Sequence, residues 1–340
     1  MTMAVSYRSA NVTASPSYGE AHGTVAFLHE IYPVDRPPSR ARKLMQKLHE
    51  RYGYEFLLFD SSNMSKALTA PFDVIIARAP LYFAIGAYLA RIRRVPLIND
   101  FRDPYMLFYE RKFFPSVFLL HRNLGDAISV TMHAYVKEYR LDPTKVFYSP
   151  NAAPLEWTTL PDRPPRNQIC YVGNVVTPFS NFRLMLEAFG RVSETYPDLQ
   201  LVIGGYGSLL PEVQKLAADM GLGRKVQFLG RLAQDEVPQL ISESLFGLAL
   251  NPWMGQKHVE YAACGRPCLG VRGRIDAEGA PWIVTADPTP TGVAEKMASL
   301  LSNEGLRSQL GNIGRSEVRR FYNWDVMADL WHNVIQRLVS

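Results

Sequence analysis

Several things this 340-residue sequence lacks narrow the field first. No run of 18 apolar residues occurs, which excludes a membrane-spanning helix of ordinary length. Cysteine is scarce. Cys170, Cys264 and Cys268 make an odd count, and Cys264 and Cys268 stand one residue farther apart than a C-x-x-C pair. That leaves no disulfide framework or zinc site and fits reduced structural thiols in a cytoplasmic protein. No Asp-x-Asp metal motif sits at a strand end, so no metal and no other cofactor is expected. The first strand runs into Glu30–Pro38, a segment without glycine. The glycine fingerprint of a nicotinamide dehydrogenase is therefore missing. Charge of one sign is not dominant either: 37 basic against 32 acidic residues give +5, too even for a nucleic-acid face. The leader 1–22 has no apolar core, so it reads as a flexible tail and not a signal peptide.

What is present is alternation. Apolar strands at Thr24–Leu28, Glu55–Phe59, Asp73–Ala77, Val95–Ile98, Ala127–Val130 and Lys145–Tyr148 are separated by helical stretches such as Ser39–Arg51, with Ser39 as N-cap, and Leu81–Arg93. Strand–helix alternation with apolar strands predicts a parallel doubly wound sheet. Pro154, Pro161, Pro164 and Pro165 then suggest an inter-domain linker. The pattern restarts with strands at Ile169–Val172, Leu201–Ile203, Val226–Leu229, Phe246–Leu250, Pro267–Gly270 and Trp282–Val284, with a helix around Glu260 and two long helices at the end. The expected division is a leader 1–22, a Rossmann-like domain 23–153, a linker 154–166, a second Rossmann-like domain 167–320 and a terminal helix 321–340 that returns to the first domain. Two such α/β sheets facing each other would place a cleft at their strand ends.

Motifs of the second half follow one another in order. Tyr171-Val-Gly173 is followed by Leu186-Glu-Ala-Phe189, then by Leu201-Val-Ile-Gly-Gly-Tyr-Gly207 and Val226-Gln-Phe-Leu-Gly-Arg-Leu232. Lys257-His-Val-Glu-Tyr-Ala-Ala-Cys-Gly-Arg-Pro267 and Phe321-Tyr-Asn-Trp324 complete the series. Over about 170 residues this resembles the GT-B glycosyltransferases of the large retaining, sugar-nucleotide-dependent group 1, family 4-like class. In the first half, Asn99-Asp-Phe-Arg-Asp-Pro104 is similar to a D-x-R-D-P segment of some members. The sequence departs from the family at Pro252, where a second Glu is common. It departs again at Asn174 and Phe179–Ser180, where an Arg and a Lys often stand.

The resemblance implies transfer of a sugar from a UDP- or GDP-sugar to a glycan, lipid-linked or small-molecule acceptor, with retention and without a protein nucleophile. It places Gly173, Asn174, Gly205, Gly207, Arg231, Gly255, Gln256, Lys257 and Glu260 on the donor side. Asp100, Arg102 and His133 fall on the acceptor side, with Lys257, Glu260 and Asp103 nearest the chemistry; Asp100, Arg102 and Asp103 suit contacts to an acceptor hydroxyl, or else form a local Arg–Asp loop brace. The residue types agree. A Glu at a helix start offers two oxygens to two ribose hydroxyls, or else only complements the helix dipole. Free N–H groups at Gly255–Lys257 suit phosphate oxygens, or else form a plain turn. The glycines of 204–207 suit either a phosphate turn or an unliganded βα turn. His133 and His258 are each read sooner as structural than as an acid or base. The run Phe108–Leu120, with Arg91, Arg93 and Arg94 and with Arg40, Arg42, Lys43 and Lys47, fits either a buried helix or a peripheral contact at the inner membrane face. The competing functional readings are a weak or inactive homologue that binds sugar nucleotide or a protein partner, and a phosphorylase or epimerase of the same fold.

Overall fold

The computed structural model describes residues 23–28, 40–78, 80–102, 115–161, 163–176 and 178–340. Ser39, Asp103, the leader and the part of the aromatic–basic run before Pro115 lie outside the described residues. The chain divides into two compact units, one reaching to Pro150 and including Trp324–Ser340, the other Asn151–Asn323.

Unit 1 carries β1 (Thr24–Leu28), β2 (Glu55–Phe59), β3 (Val74–Arg78), β4 (Leu97–Phe101), β5 (Ala127–Val130) and β6 (Val146–Tyr148). They form one parallel sheet in the order β2-β1-β3-β4-β5-β6. Its helices are α1 (Arg40–Tyr52), α2 (Pro80–Arg93), α3 (Pro115–His121) and α4 (Ala134–Glu138). Val25–Leu28, Val74–Ala77 and Leu97–Phe101 are buried throughout, as strands covered on both faces require. β4 starts two residues later than expected and runs on to Phe101, so Asn99 and Asp100 lie inside the strand.

Unit 2 repeats the plan with β7 (Gln168–Val172), β8 (Gln200–Gly204), β9 (Val226–Gly230), β10 (Gly247–Leu248), β11 (Cys268–Val271) and β12 (Ile283–Ala286). Their order is β12-β11-β10-β7-β8-β9, again parallel. Helices α5 (Phe179–Thr195), α6 (Leu210–Asp219), α7 (Glu236–Ser242), α8 (Gln256–Ala263), α9 (Pro290–Ser302) and α10 (Glu304–Arg320) belong to it. Phe182, Leu186 and Phe189 of α5 meet Leu201 and Ile203 of β8 and Val293 and Met297 of α9 in one core. Cys170, Cys264 and Cys268 are free and buried, and burial pushes the Cys170 thiol up to about 12.

Two boundaries differ from the sequence expectation. The proline-rich stretch 154–166 belongs to unit 2. Leu155–Thr159 forms a 3₁₀ turn that buries Trp157 and Thr158, and Arg319 of α10 donates to the Thr158 carbonyl at 2.5 Å. Pro154 is buried beside this turn, whereas Pro161, Pro164 and Pro165 are exposed. The final stretch also splits. Residues 321–323 stay with unit 2, while α11 (Trp324–Val339) packs in unit 1 against α1. Its apolar stripe Trp324, Met327, Ala328, Trp331, Val334 and Ile335 is buried. Trp331 donates to Ser149 Oγ at 2.8 Å, Lys47 pairs with Asp325 at 3.3 Å, and His332 stacks on Tyr52 at 3.8 Å. Three helices, not two, therefore end the chain.

Candidate functional site

All strands of unit 2 are parallel, so the loops after β7, β8, β9 and β10 gather at one edge. The order reverses between β7 and β10, the place where doubly wound sheets open a crevice. Gly173 and Asn174 follow β7, Gly205 and Gly207 follow β8, Arg231 follows β9, and Gly255–Lys257 starts α8 after β10. The donor-side residues read from the sequence thus share one rim.

The glycines of this rim have a steric task. Gly173 donates to the Gly204 carbonyl at 2.9 Å and Val175 to that of Tyr206 at 2.8 Å, carrying the β7–β8 pairing into the loops. A Cβ on Gly205 would lie 1.9 Å from Gly173 O, and one on Gly207 2.1 Å from Val175 O. Only glycine lets the two loops run this close. Gly173 has φ +140°, and a Cβ there would meet Lys257 Cε at 2.3 Å. The Lys257 side chain therefore lies over the Gly173 backbone, with Nζ 5.0 Å from the Tyr171 ring centre. The Tyr171 hydroxyl donates to the carbonyl of exposed Asn174 at 2.8 Å.

Helix α8 is fixed from within. Tyr261 is fully buried; its hydroxyl accepts from Val172 N–H at 3.0 Å and donates to the Leu248 carbonyl at 3.1 Å. His258 is also fully buried and accepts from Gly255 N–H at 3.0 Å through Nδ1, closing the first turn. Burial, aided by neighbouring Lys257, pulls its pKa down to about 3. His258 is thus a neutral structural group. Gln256 donates to the Ala152 carbonyl at 2.5 Å and to Glu260 Oε1 at 3.1 Å, which orients the carboxylate of Glu260. Lys257 and Glu260 are both partly exposed.

Arg231 is exposed, and its guanidinium stacks 3.8 Å above the Tyr206 ring, between the ends of β8 and β9. Pro252, the departure from the family's Glu, abuts Gly273, where a Cβ would sit 2.5 Å from Pro252 Cβ. Phe179 and Ser180 open α5. Sequence reading missed Asn181, whose amide donates to Asn251 Oδ1 at 3.0 Å and ties the start of α5 to the loop after β10. A lone asparagine in a helical stretch gave no signal.

In unit 1, Asp100, Arg102 and His133 likewise stand at the carboxyl edge. Asp100 and Arg102 form a buried ion pair with side chains 0% and 4% exposed. Exposed His133 stacks on Tyr148 at 3.8 Å.

Comparison with known proteins adds three findings. Residues 166–303 match the family model described as Glycosyl transferases group 1. The GDP-mannose-dependent monoacylated alpha-(1-6)-phosphatidylinositol monomannoside mannosyltransferase of Corynebacterium glutamicum is 28% identical over 164 residues, 45% of this chain and 42% of that protein. The N-acetyl-alpha-D-glucosaminyl L-malate synthase of Bacillus anthracis is 29% identical over 160 residues, 42% of this chain and 40% of that protein. The matches thus span about two fifths of these relatives' length. Among solved structures, Anabaena Alr3699/HepE in complex with UDP superposes with a TM-score of 0.72 at 14% identity, covering 93% of this chain and 100% of that one. Sucrose-phosphate synthase of Thermosynechococcus elongatus gives 0.73 at 15% identity, covering 93% and 98%. At such identities the likeness is one of fold.

Proposed function

We propose that this chain, with a GT-B fold and a group 1 glycosyl transferase region at residues 166–303, moves a sugar from a nucleoside diphosphate donor to an acceptor. The carrying observation is the rim at the β7–β10 reversal, where Lys257 overlies Gly173 and Gln256 orients Glu260, which stands one turn into α8 and not in its first turn as the sequence suggested. In this reading Glu260 accepts the two ribose hydroxyls, and Lys257 with the first N–H groups of α8 faces the diphosphate. Arg231 on Tyr206 borders the nucleobase. The relatives' names supply both donor types, GDP-mannose in one and UDP in a structural neighbour.

The chemistry needs positive potential more than a nucleophile. The bond from the anomeric carbon to the diphosphate oxygen breaks as the acceptor hydroxyl oxygen attacks from the same face. The acceptor proton passes to the departing phosphate, and Lys257 stabilises the charge that develops there. Asp100, Arg102 and His133 stand on the acceptor side. For a lipid-linked acceptor, the exposed Tyr88, Ile92, Leu119 and Leu120 beside Arg91 of α2 offer an apolar and basic face to the membrane.

A melting-temperature panel of UDP-, GDP-, ADP- and CMP-sugars tests the reading. A bound donor at 100 times its Kd stabilises the fold by about 2.7 kcal/mol. Slow release of nucleotide by water, accelerated by an acceptor, is the expected activity. No response to any sugar nucleotide would overturn the proposal.

A further inference from the structure

The Lys257 side chain is confined on two sides by residues of β7 and the loop after it. Beneath it runs the Gly173 backbone, where an added Cβ would lie 2.3 Å from Lys257 Cε and 2.9 Å from Nζ. Beside it stands Tyr171, with its ring centre 5.0 Å from Nζ. The ring is itself fixed. Its hydroxyl donates to the Asn174 carbonyl at 2.8 Å, and Phe182 of α5 meets it edge-on at 5.3 Å between ring centres. One tyrosine thus touches the loop after β7, the first turn of α5 and the first turn of α8.

What Lys257 lacks is a carboxylate. Among the described residues it forms no ion pair, and Glu260, three residues on, accepts from Gln256. The difference matters chemically. A carboxylate would fix a lysine by cancelling its charge. An aromatic face attracts the ammonium through its quadrupole and leaves the charge in place. A long flexible side chain also loses rotamer freedom when it meets a ligand, and that loss shrinks if it is already held. Partly exposed Lys257 is therefore both ordered and uncancelled.

We propose that Tyr171 is a positioning residue, which holds the Lys257 ammonium over the Gly173 backbone as an uncancelled charge for the diphosphate of the donor. The hydroxyl bond to Asn174 sets the ring's angle, and Gly173 leaves the room beneath the lysine. The identity of the anion rests on the glycosyltransferase reading. The positioning itself does not.

Two measurements on the full chain test this. The first needs no ligand. In protein labelled with carbon-13 at lysine Cε, the Lys257 methylene signal is assigned by its loss in Lys257→Ala. It is expected upfield of ordinary lysines through the Tyr171 ring current, and at the ordinary position in Tyr171→Leu. An unshifted signal in wild type overturns the positioning. The second is calorimetry with UDP, GDP and ADP. For whichever of these the wild type binds, Tyr171→Leu is expected to weaken affinity about fivefold and Tyr171→Phe to hold it within about twofold. If Tyr171→Leu fails to fold, as judged by circular dichroism, Tyr171→Met takes its place. In the Lys257→Ala background the loss of the ring is expected to add nothing, because no cation remains for it to hold. An equal loss in both backgrounds would make Tyr171 a purely structural residue and overturn the proposal, as would unchanged affinity in Tyr171→Leu. A shifted Lys257 signal in a chain that binds none of the three nucleotides overturns the transferase reading and leaves the positioning standing.

Discussion

The hydroxyl of Tyr261 joins the Val172 amide to the Leu248 carbonyl and so takes the place of a sheet rung between β7 and β10. β10 is two residues long and pairs with β7 at one position, Gly247 opposite Cys170. Beyond that point the strands part, and a helix side chain closes the ladder. The packing is tight enough that a Cβ on Gly247 would lie 2.5 Å from the Tyr261 ring. The tyrosine that follows Glu260 is therefore what positions α8 at the sheet's reversal.

Tyr261→Phe strands a buried N–H and a buried carbonyl. Each orphaned group costs about 1–3 kcal/mol. Denaturant unfolding of unit 2 is expected to show a loss in that range, with a weaker donor affinity because α8 is no longer held. Unchanged stability would mean that water replaces the hydroxyl.

Gly205→Ala and Gly207→Ala should each destabilise unit 2 by at least about 1–3 kcal/mol, since the added carbon meets backbone at 1.9 and 2.1 Å. Gly223→Ala serves as control, because nothing lies within 4 Å of its added Cβ. It should change stability by less than about 0.5 kcal/mol. Equal melting of all three variants would remove the steric argument.

Lys257→Ala is expected to weaken donor binding by about 1.5–3 kcal/mol and to make its salt dependence shallower, as loss of a charge-assisted contact requires. Glu260→Ala should raise the donor Kd at least tenfold with the fold intact. Calorimetry on both variants, with Arg231→Ala beside them, locates the clamp. A large loss in Arg231→Ala alone would move it to the end of β9.

His258 sets a pH dependence of stability. Its folded pKa is about 3 against an ordinary 6.5, so the unfolded chain binds the extra proton between these values. Its contribution is fully present above pH 6.5. It is lost as pH falls toward 3, at up to about 1.4 kcal/mol per unit. His258→Gln should flatten the stability profile in this window. An unchanged slope would assign the acid sensitivity to carboxylates.

Activity should survive EDTA, with helix N–H groups and Lys257 supplying the positive potential at the diphosphate. Loss restored by Mn²⁺ or Mg²⁺ would contradict this.

The sequence by itself determined the two-sheet plan and which residues gather on the rim at the β7–β10 reversal. Fully buried parallel strands need near-continuous apolar runs, which are visible in Val25–Leu28 or Leu201–Ile203 without any partner in view. Glycine and proline punctuation fixed where the strands end, and the segment from Lys257 to Pro267 marked one helix. Tertiary structure decided what depends on residues far apart in the chain. Gly205 and Gly207 are glycines because the β7 loop crosses them, and that loop begins about 30 residues earlier. His258 was read from the sequence sooner as structural than as an acid or base, and burial is what keeps it neutral. The turn Leu155–Thr159 is held in unit 2 by Arg319, 161 residues after Thr158. Arg40 of α1, Arg78 of β3 and Arg102, the residue after β4, act on one another only because the fold brings these segments together. Local pattern carries periodicity and turn chemistry; close backbone approach, burial and summed charge arise only when distant segments share the same space.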